Sequence, residues 1–380
     1  MVFKRSRFSL LQGVALIVSG TLGAGVLGIP YAVAQVGVPL GIAYIVGLGL
    51  LIMGLNILLG YVSAGAGGTL QLAGLARRYL GEKGGYLMAG ITYVMLSGVI
   101  TVYIIGEGEI LSALFGGPRF WWSLVFWAVA ALFIFTGIRT VKTVEFVLSS
   151  LILAVVMALA AWSAPHVEWP NWGHFGLSHL LLPYGIILFA FHSTTSIPEA
   201  HSAFQGDTPA FSRAIQIASL TVILLYILFV LTVVGVTGAE TAEIATIGLG
   251  RALGQPVHIL GNLFAALSLA TAFIMVAVSF RDSLRWDFRV PRLAASVLVA
   301  GVPVIIFALG ARHFIAVLDV IGGVMVSLEM LIILLIVWRA HEAGDLPVSR
   351  PSFSRLIWLI AALVLALTLG AVYSIVVLFT

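Results

Sequence analysis

The sequence predicts an all-α integral membrane protein of about eleven transmembrane helices. Composition, the spacing of apolar stretches and the placement of basic residues each lead there. Of 380 residues, 61% are hydrophobic and 9% charged, and the mean hydropathy is +1.15, outside the range of soluble domains. A helix that crosses a bilayer needs about 20 apolar residues. Such stretches fall near 9–35, 38–64, 86–115, 119–138, 144–164, 178–204, 211–237, 256–281, 292–310, 313–339 and 355–379. With the N-terminus in the cytoplasm and the C-terminus outside, all of the 19 lysines and arginines except Arg119, Arg251 and Arg312 fall on the inner side, the asymmetry expected of a correctly counted topology.

That asymmetry accounts for the +4 net charge and the pI of about 9.5, so no nucleic-acid partner is implied. The chain has no cysteine, which excludes disulfides, thiolate chemistry and cysteine metal sites. Lys4, Arg5 and Arg7 precede an apolar run too long for a signal peptide and followed by further spans. Loops are short, no soluble domain is visible, and the compact layout suits a prokaryotic inner membrane. Two loops have helical periodicity, Thr69 to Leu80 inside and Ala239 to Leu253 outside, and are expected to lie flat against the spans.

Two spans are interrupted. In the first, Gly20, Gly23, Gly25 and Gly28 precede Pro30. Each glycine weakens a helix by about 1 kcal/mol relative to alanine, so the middle is prepared to open, with Pro30 starting the outer half. Close helix packing is the other use of such glycines. In the sixth span His192, Ser193, Thr194, Thr195 and Ser196 run together before Pro198, and a second half-helix is expected near Thr195 or Ser196. Unwound backbone persists in a bilayer only where it lines a cavity or holds a ligand. Opposed half-helices aim positive dipole ends at an anion and carbonyls at a cation, which suits a zwitterion. The breaks occupy corresponding places in two five-span units, about 9–164 and 178–339, which an odd repeat length inverts, leaving the stretch at about 355–379 as an extra helix.

The strings GTLGAGVLGIPYAVAQVG (Gly20 to Gly37), LAGLARRYLGEKGG (Leu72 to Gly85) and FAFHSTTSIPEA followed by Asp207 resemble the amino acid transporters of the amino acid/auxin permease group, within the amino acid–polyamine–organocation superfamily. The FxFH portion is also similar to the bacterial aromatic amino acid permeases. The resemblance implies the leucine-transporter fold and a secondary transporter that imports a neutral, aromatic or branched amino acid by alternating access, coupled to Na+ or H+. It implies substrate contacts at Thr21, Gly23, Ala24 and Gly25 and at Phe189, Ala190, Phe191, His192 and Ser193, with Tyr103 either closing the pocket or only packing. A sodium site is implied between the carbonyls of Ser19 and Leu22 and the hydroxyls of Ser268 and Thr271, which could instead bond back to their own helix. Relatives that replace the ion with a span-five lysine are not matched, since Lys142 lies at the entrance of that span.

Acidic residues are the other coupling candidates. Asp319 stands where relatives carry an outer-gate acid, but Gly28 lies near the place of its arginine partner. Glu329 is deeper on the same span. Glu107 and Glu109 are expected to reach water, Glu145 to pair with Lys142, and Glu199 to balance the dipole of its half-helix or meet an inner arginine. The resemblance also implies an inner gate in which one basic residue, Arg5 in particular, meets Asp282; the other reading is that Asp282 pairs with Arg285. An unperturbed imidazole titrates near pH 6.5, so His192 either carries a proton or serves as a neutral hydrogen-bonding member of the pocket.

No cofactor or resident metal is implied; the partners are the amino acid and the bilayer, and the oligomeric state is not readable. An intramembrane enzyme is disfavoured, because HExxH is absent and no paired aspartates stand at span centres. Metal transport is disfavoured because GTLGAG holds no carboxylate. An amino-acid sensor of the same fold and a carrier of another small cargo, such as a polyamine, remain alternatives.

Overall fold

The structure is a computed structural model that describes residues 2–66, 70–136, 142–173, 175–176, 179–201, 204, 207–346 and 350–379. For residues 2–9, 136, 142–152, 199, 286–287, 350–359 and 375–379 it describes the backbone alone. The described residues form helices α1 (Val2–Thr21), α2 (Gly25–Val36), α3 (Val38–Gly65), α4 (Leu72–Phe115), α5 (Arg119–Thr136), α6 (Lys142–Ser163), α7 (Leu182–Ala190), α8 (Ser196–His201), α9 (Thr208–Thr237), α10 (Ala245–Leu253), α11 (Gln255–Phe288), α12 (Arg292–Ala308), α13 (Phe314–Val320), α14 (Ser327–Glu342) and α15 (Arg350–Phe379), with a π-helical segment, Ile321–Val326, joining α13 to α14.

Helices α3, α4, α9 and α11 and the stretch Phe314–Glu342 are each long and apolar enough to cross a membrane, and Leu10–Thr21 with Gly25–Val36 forms a further span bent by 60°. Every apolar stretch anticipated from the sequence coincides with a helix or a helix pair. Of the surface helix expected at Thr69 to Leu80, the part from Leu72 runs into the long part of α4 through a kink at Gly81, whose φ of 79° is a left-handed conformation that disfavours a side chain. The expected surface helix near 239–253 is α10, but its residues Ala245 to Gly250 are buried against α9, α11 and α2 rather than lying flat. Its apolar stripe is satisfied by protein, not lipid.

Helix α4 packs on α5, α11, α12 and α14, while α9 packs on α1, α2 and α3. The two broken segments lie between these groups, with α2 on α7 and α8 on α1 and α3. The remaining broken element is the Phe314–Glu342 stretch, where the π segment packs on α7 and α15. Contact there is close enough to dictate residue type. A Cβ at Gly185 would collide with the Asp319 carboxylate and lie 3.0 Å from the Gly323 nitrogen, and one at Gly370 would enter the Tyr184 ring.

One end of the bundle gathers the basic residues into specific roles. Arg281 is buried and donates to the Ile134 carbonyl at 2.6 Å, and Arg292 donates to Phe135 O at 2.9 Å. Both cations meet the carbonyl end of α5, the favourable pole of its dipole. At the same end Tyr79 and Arg78 donate to Asp345 Oδ2 at 2.8 and 3.1 Å, and Arg78 also donates to Ala66 O. The Tyr79 hydroxyl and the Arg78 guanidinium hold the Asp345 carboxyl below its usual range, so this tether is present at neutral pH and lost as the pH falls through that lowered value.

Because the α7–π contact is backbone against backbone, Gly185→Ala should destabilise by about 1–3 kcal/mol, read as a lower melting temperature in detergent. Gly90→Ala, with nothing within 4 Å of the added Cβ, should leave the melting temperature unchanged or slightly raised. Equal melting temperatures for the two variants would refute the close contact.

Candidate functional site: two broken helices and a buried acid

The helices are interrupted at Leu22 to Ala24 and again at Phe191 to Thr195. The first break falls among the glycines, where the sequence places it, but the outer half-helix starts earlier than expected. Helix α2 begins at Gly25, and Pro30 lies inside it rather than at its start, since the glycines already supply the opening. The second half-helix starts at Ser196 with Pro198 in its first turn, where a missing N–H costs nothing. The breaks touch: a Cβ at Gly25 would lie 2.6 Å from the Ala190 Cα, and one at Gly20 would strike the Ser196 hydroxyl.

The polar ends therefore converge. In the first turn of α2, Val26 N and Leu27 N donate to Gly23 O and Ala24 O at 3.3 and 3.1 Å, and the last carbonyls of α1 and α7 lie near one another. Tyr226 of α9, fully buried, ties them together by donating to Ala190 O at 2.8 Å and approaching Thr21 O at 3.4 Å. Thr21 Oγ1 donates to Ile17 O at 2.6 Å. Asn56 of α3 donates to Ser193 Oγ at 3.1 Å. Tyr103 is buried with its hydroxyl 3.9 Å from the Cβ position of Gly23, so it faces the first break.

The acid of the site comes from α14. His192 Nε2 stands 2.9 Å from Glu329 Oε1, and Thr194 Oγ1 donates to the same oxygen at 2.5 Å while lying 2.9 Å from His192 Nε2. The Glu329 side chain is 0% exposed and that of His192 14%, and Glu329 Oε2 has no hydrogen-bond partner. A carboxylate so enclosed is tolerated where it is paired or shares a proton. The trio joins the second break directly to the Phe314–Glu342 stretch.

Other sequence candidates are distributed differently. Phe191 packs on Tyr226, with centroids 5.0 Å apart, and its ring lies against Gly49; Phe189 lies against Gly322. Thr271 Oγ1 bonds back to Leu267 O and Ser268 O, and α11 packs on α4, α5, α6, α10 and α12, while Ser19 and Leu22 belong to the end of α1 and the break that follows. Asp282 pairs with Arg281 at 2.7 Å and with Arg285 at 3.6 Å. The expected contacts of Arg5, Lys142, Glu145 and Glu199 fall on side chains outside the described ones.

Asp319 lies against Gly185 of α7, while Gly28 meets Ile315 and Leu318, an apolar contact. Glu107 does not reach water as expected: it is 2% exposed, because its part of α4 is covered by α11. Glu109 borders a cavity of about 360 Å3 whose walls include Arg119, Glu243 and Arg251, and Glu243 accepts from Ile315 N at 3.2 Å at the start of α13. Among the described residues no group of three or more His, Asp or Glu stands ready to hold a metal. Sequence reasoning missed Tyr226 and Asn56, each a lone polar residue in an apolar run and the only signal available.

Two broken helices that meet in the middle of an apolar bundle define a membrane transporter of the leucine-transporter fold. The chain belongs to the tryptophan/tyrosine permease family, whose model matches residues 6–372. It is 26% identical over 362 residues to the tyrosine-specific transport system 1 of Haemophilus influenzae, covering 88% of this chain and 90% of that protein. It is 25% identical over 344 residues to glutamine transporter 2 of Aliivibrio fischeri, covering 85% and 87%. MhsT in complex with L-phenylalanine superposes with a TM-score of 0.68 at 14% identity, over 94% of this chain and 98% of that one. A manganese transporter of Eremococcus coleocola superposes with a TM-score of 0.68 at 15% identity, over 97% and 87%. These structures share the fold.

If Tyr226 holds the breaks in register, Tyr226→Phe should weaken amino acid binding about tenfold while lowering stability by only about 1 kcal/mol. Equilibrium binding and a melting curve on the same sample separate the two. Unchanged affinity would remove Tyr226 from the site.

Proposed function

We propose that this protein imports a neutral amino acid, with aromatic side chains preferred, across a prokaryotic inner membrane by alternating access, together with a cation. The observation that carries this reading is the meeting of the two breaks at Gly25 and Ala190. The α2 N-terminus takes the substrate carboxylate and the carbonyl ends of α1 and α7 take its ammonium group. Gly23 leaves space beneath Tyr103, and the tyrosine-specific relative supports an aromatic side chain there. The wider kinship with the amino acid/auxin permease group rests on the three strings described above. The basic end of the bundle is cytoplasmic in this reading, and the five-plus-five inverted arrangement moves as two units.

The coupling ion is a proton shared by His192 and Glu329. Loading from outside protonates the pair, which neutralises Glu329 and permits the second break to close around substrate; release inside returns Glu329 to its charged, hydrogen-bonded state. Sodium between α1 and α11 is less favoured, since Thr271 is bonded to its own helix.

Proteoliposomes offered labelled tyrosine, tryptophan, phenylalanine and glutamine should accumulate an aromatic amino acid under an inward proton gradient, and not under a sodium gradient alone. Glu329→Gln should lose accumulation by at least tenfold while retaining counterflow at zero gradient. Absence of uptake and of counterflow for every amino acid, from folded protein, would sink the transport reading.

A further inference from the structure

The cavity beside Glu109 takes no part in that cycle. It measures about 360 Å3, within the roughly 300–1,000 Å3 of pockets that hold small molecules. Its walls come from the last turns of α4, the start of α5, and α10 with the loop before it. No residue of the two breaks lines it, so it stands beside the substrate path rather than on it. Helix α4 begins at the basic end of the bundle, where Arg78 meets Asp345, and finishes at this cavity. The cavity therefore lies at the opposite end, which is the outer one in the transport reading.

Charge is balanced on these walls: Glu109 and Glu243 supply two carboxylates, Arg119 and Arg251 two guanidiniums. Arg119 stands 3.6 Å from Glu109, long for a hydrogen bond, and Glu243 accepts from Ile315 N at 3.2 Å. Arg251 has neither a hydrogen bond nor an ion pair among the described residues. Its place in the last turn of α10 suits the helix dipole, but a guanidinium is also a forked donor for a carboxylate. Glu109, its side chain 10% exposed, has the capacity to accept an ammonium. Ile244 and Ile247 add an apolar wall. A bare anion or a bare cation would meet a like charge across the cavity, whereas a molecule with both charges and an apolar side chain suits every wall. We propose that this cavity binds a second zwitterionic amino acid, its carboxylate on Arg251, its ammonium on Glu109 and its side chain against Ile244 and Ile247. The inference rests on the transport reading for the class of ligand. Because Glu243 also holds the start of α13, a filled cavity ties α4 and α5 to α13 and slows opening of the outer end, so abundant external amino acid restrains its own import.

The test uses the purified full chain, with tritiated L-phenylalanine binding by scintillation proximity, and the same samples in proteoliposomes. Wild type should bind phenylalanine at a second site per chain beside the central one, and its uptake should fall from a maximum as external phenylalanine rises. Arg251→Ala should lose both the second component and the fall, with counterflow at low concentration unchanged. Ala113→Leu, which narrows the cavity from α4, should do the same and keeps the test decisive if either variant fails to fold. Tyr226→Phe should weaken only the central component. Neither 3-phenylpropionate nor 2-phenylethylamine should displace the component that depends on Arg251. The proposal is overturned by binding that is the same in wild type, Arg251→Ala and Ala113→Leu, by loss of low-concentration counterflow in those variants, by displacement with either single-charged analogue, or by uptake that saturates without a fall while the second site fills. Wild type without counterflow would sink the transport reading alone, since binding that depends on Arg251 still reports the cavity.

Discussion

The structure depends on satisfying backbone groups at two places where helices stop inside an apolar bundle. Water is not at hand there, and an unpaired carbonyl in such surroundings costs several kcal/mol. Tyr226 answers for both breaks at once, with one hydroxyl serving Ala190 O and reaching toward Thr21 O. The glycines matter in the same argument. Gly25 allows α2 to approach the Ala190 backbone, and only at that distance can a single tyrosine serve both.

Charge follows the same economy. Glu329 is placed where Thr194 and His192 share one of its oxygens, so that the acid is bonded into the break rather than stranded beside it. The acid also ties α14 to the unwound residues, so movement of either is felt by the other. Asp319, ten residues earlier on the same stretch, is instead enclosed by α7, the π segment and α15. The intervening π turn sets the two acids facing different neighbours.

At the basic end, charges are used to finish helices. Arg281 and Arg292 close the carbonyl end of α5, and Asp345 receives Tyr79 and Arg78. A topology signal read as a simple excess of positive charge is thus also a set of caps and tethers, in which Asp282 serves Arg281 and Arg285.

The all-helical membrane class, the positions of the helices, the existence of both breaks and the start of α8 at Ser196 were legible in the sequence. Each follows from local quantities: apolar length, glycine and proline placement, and runs of hydroxyl residues. The sequence also singled out His192, Glu329 and Asp319 as polar residues that a bilayer does not tolerate idly. It did not reveal that His192 and Glu329 are partners, that Phe191 turns toward Tyr226, that Glu107 is buried or that Tyr226 spans both breaks. Those facts join residues as far apart as 137 and 205 positions, and which side chains meet across such separations is set by helix packing, not by local propensity. What a residue must avoid was written in the sequence; which neighbour relieves it was decided only when the helices packed.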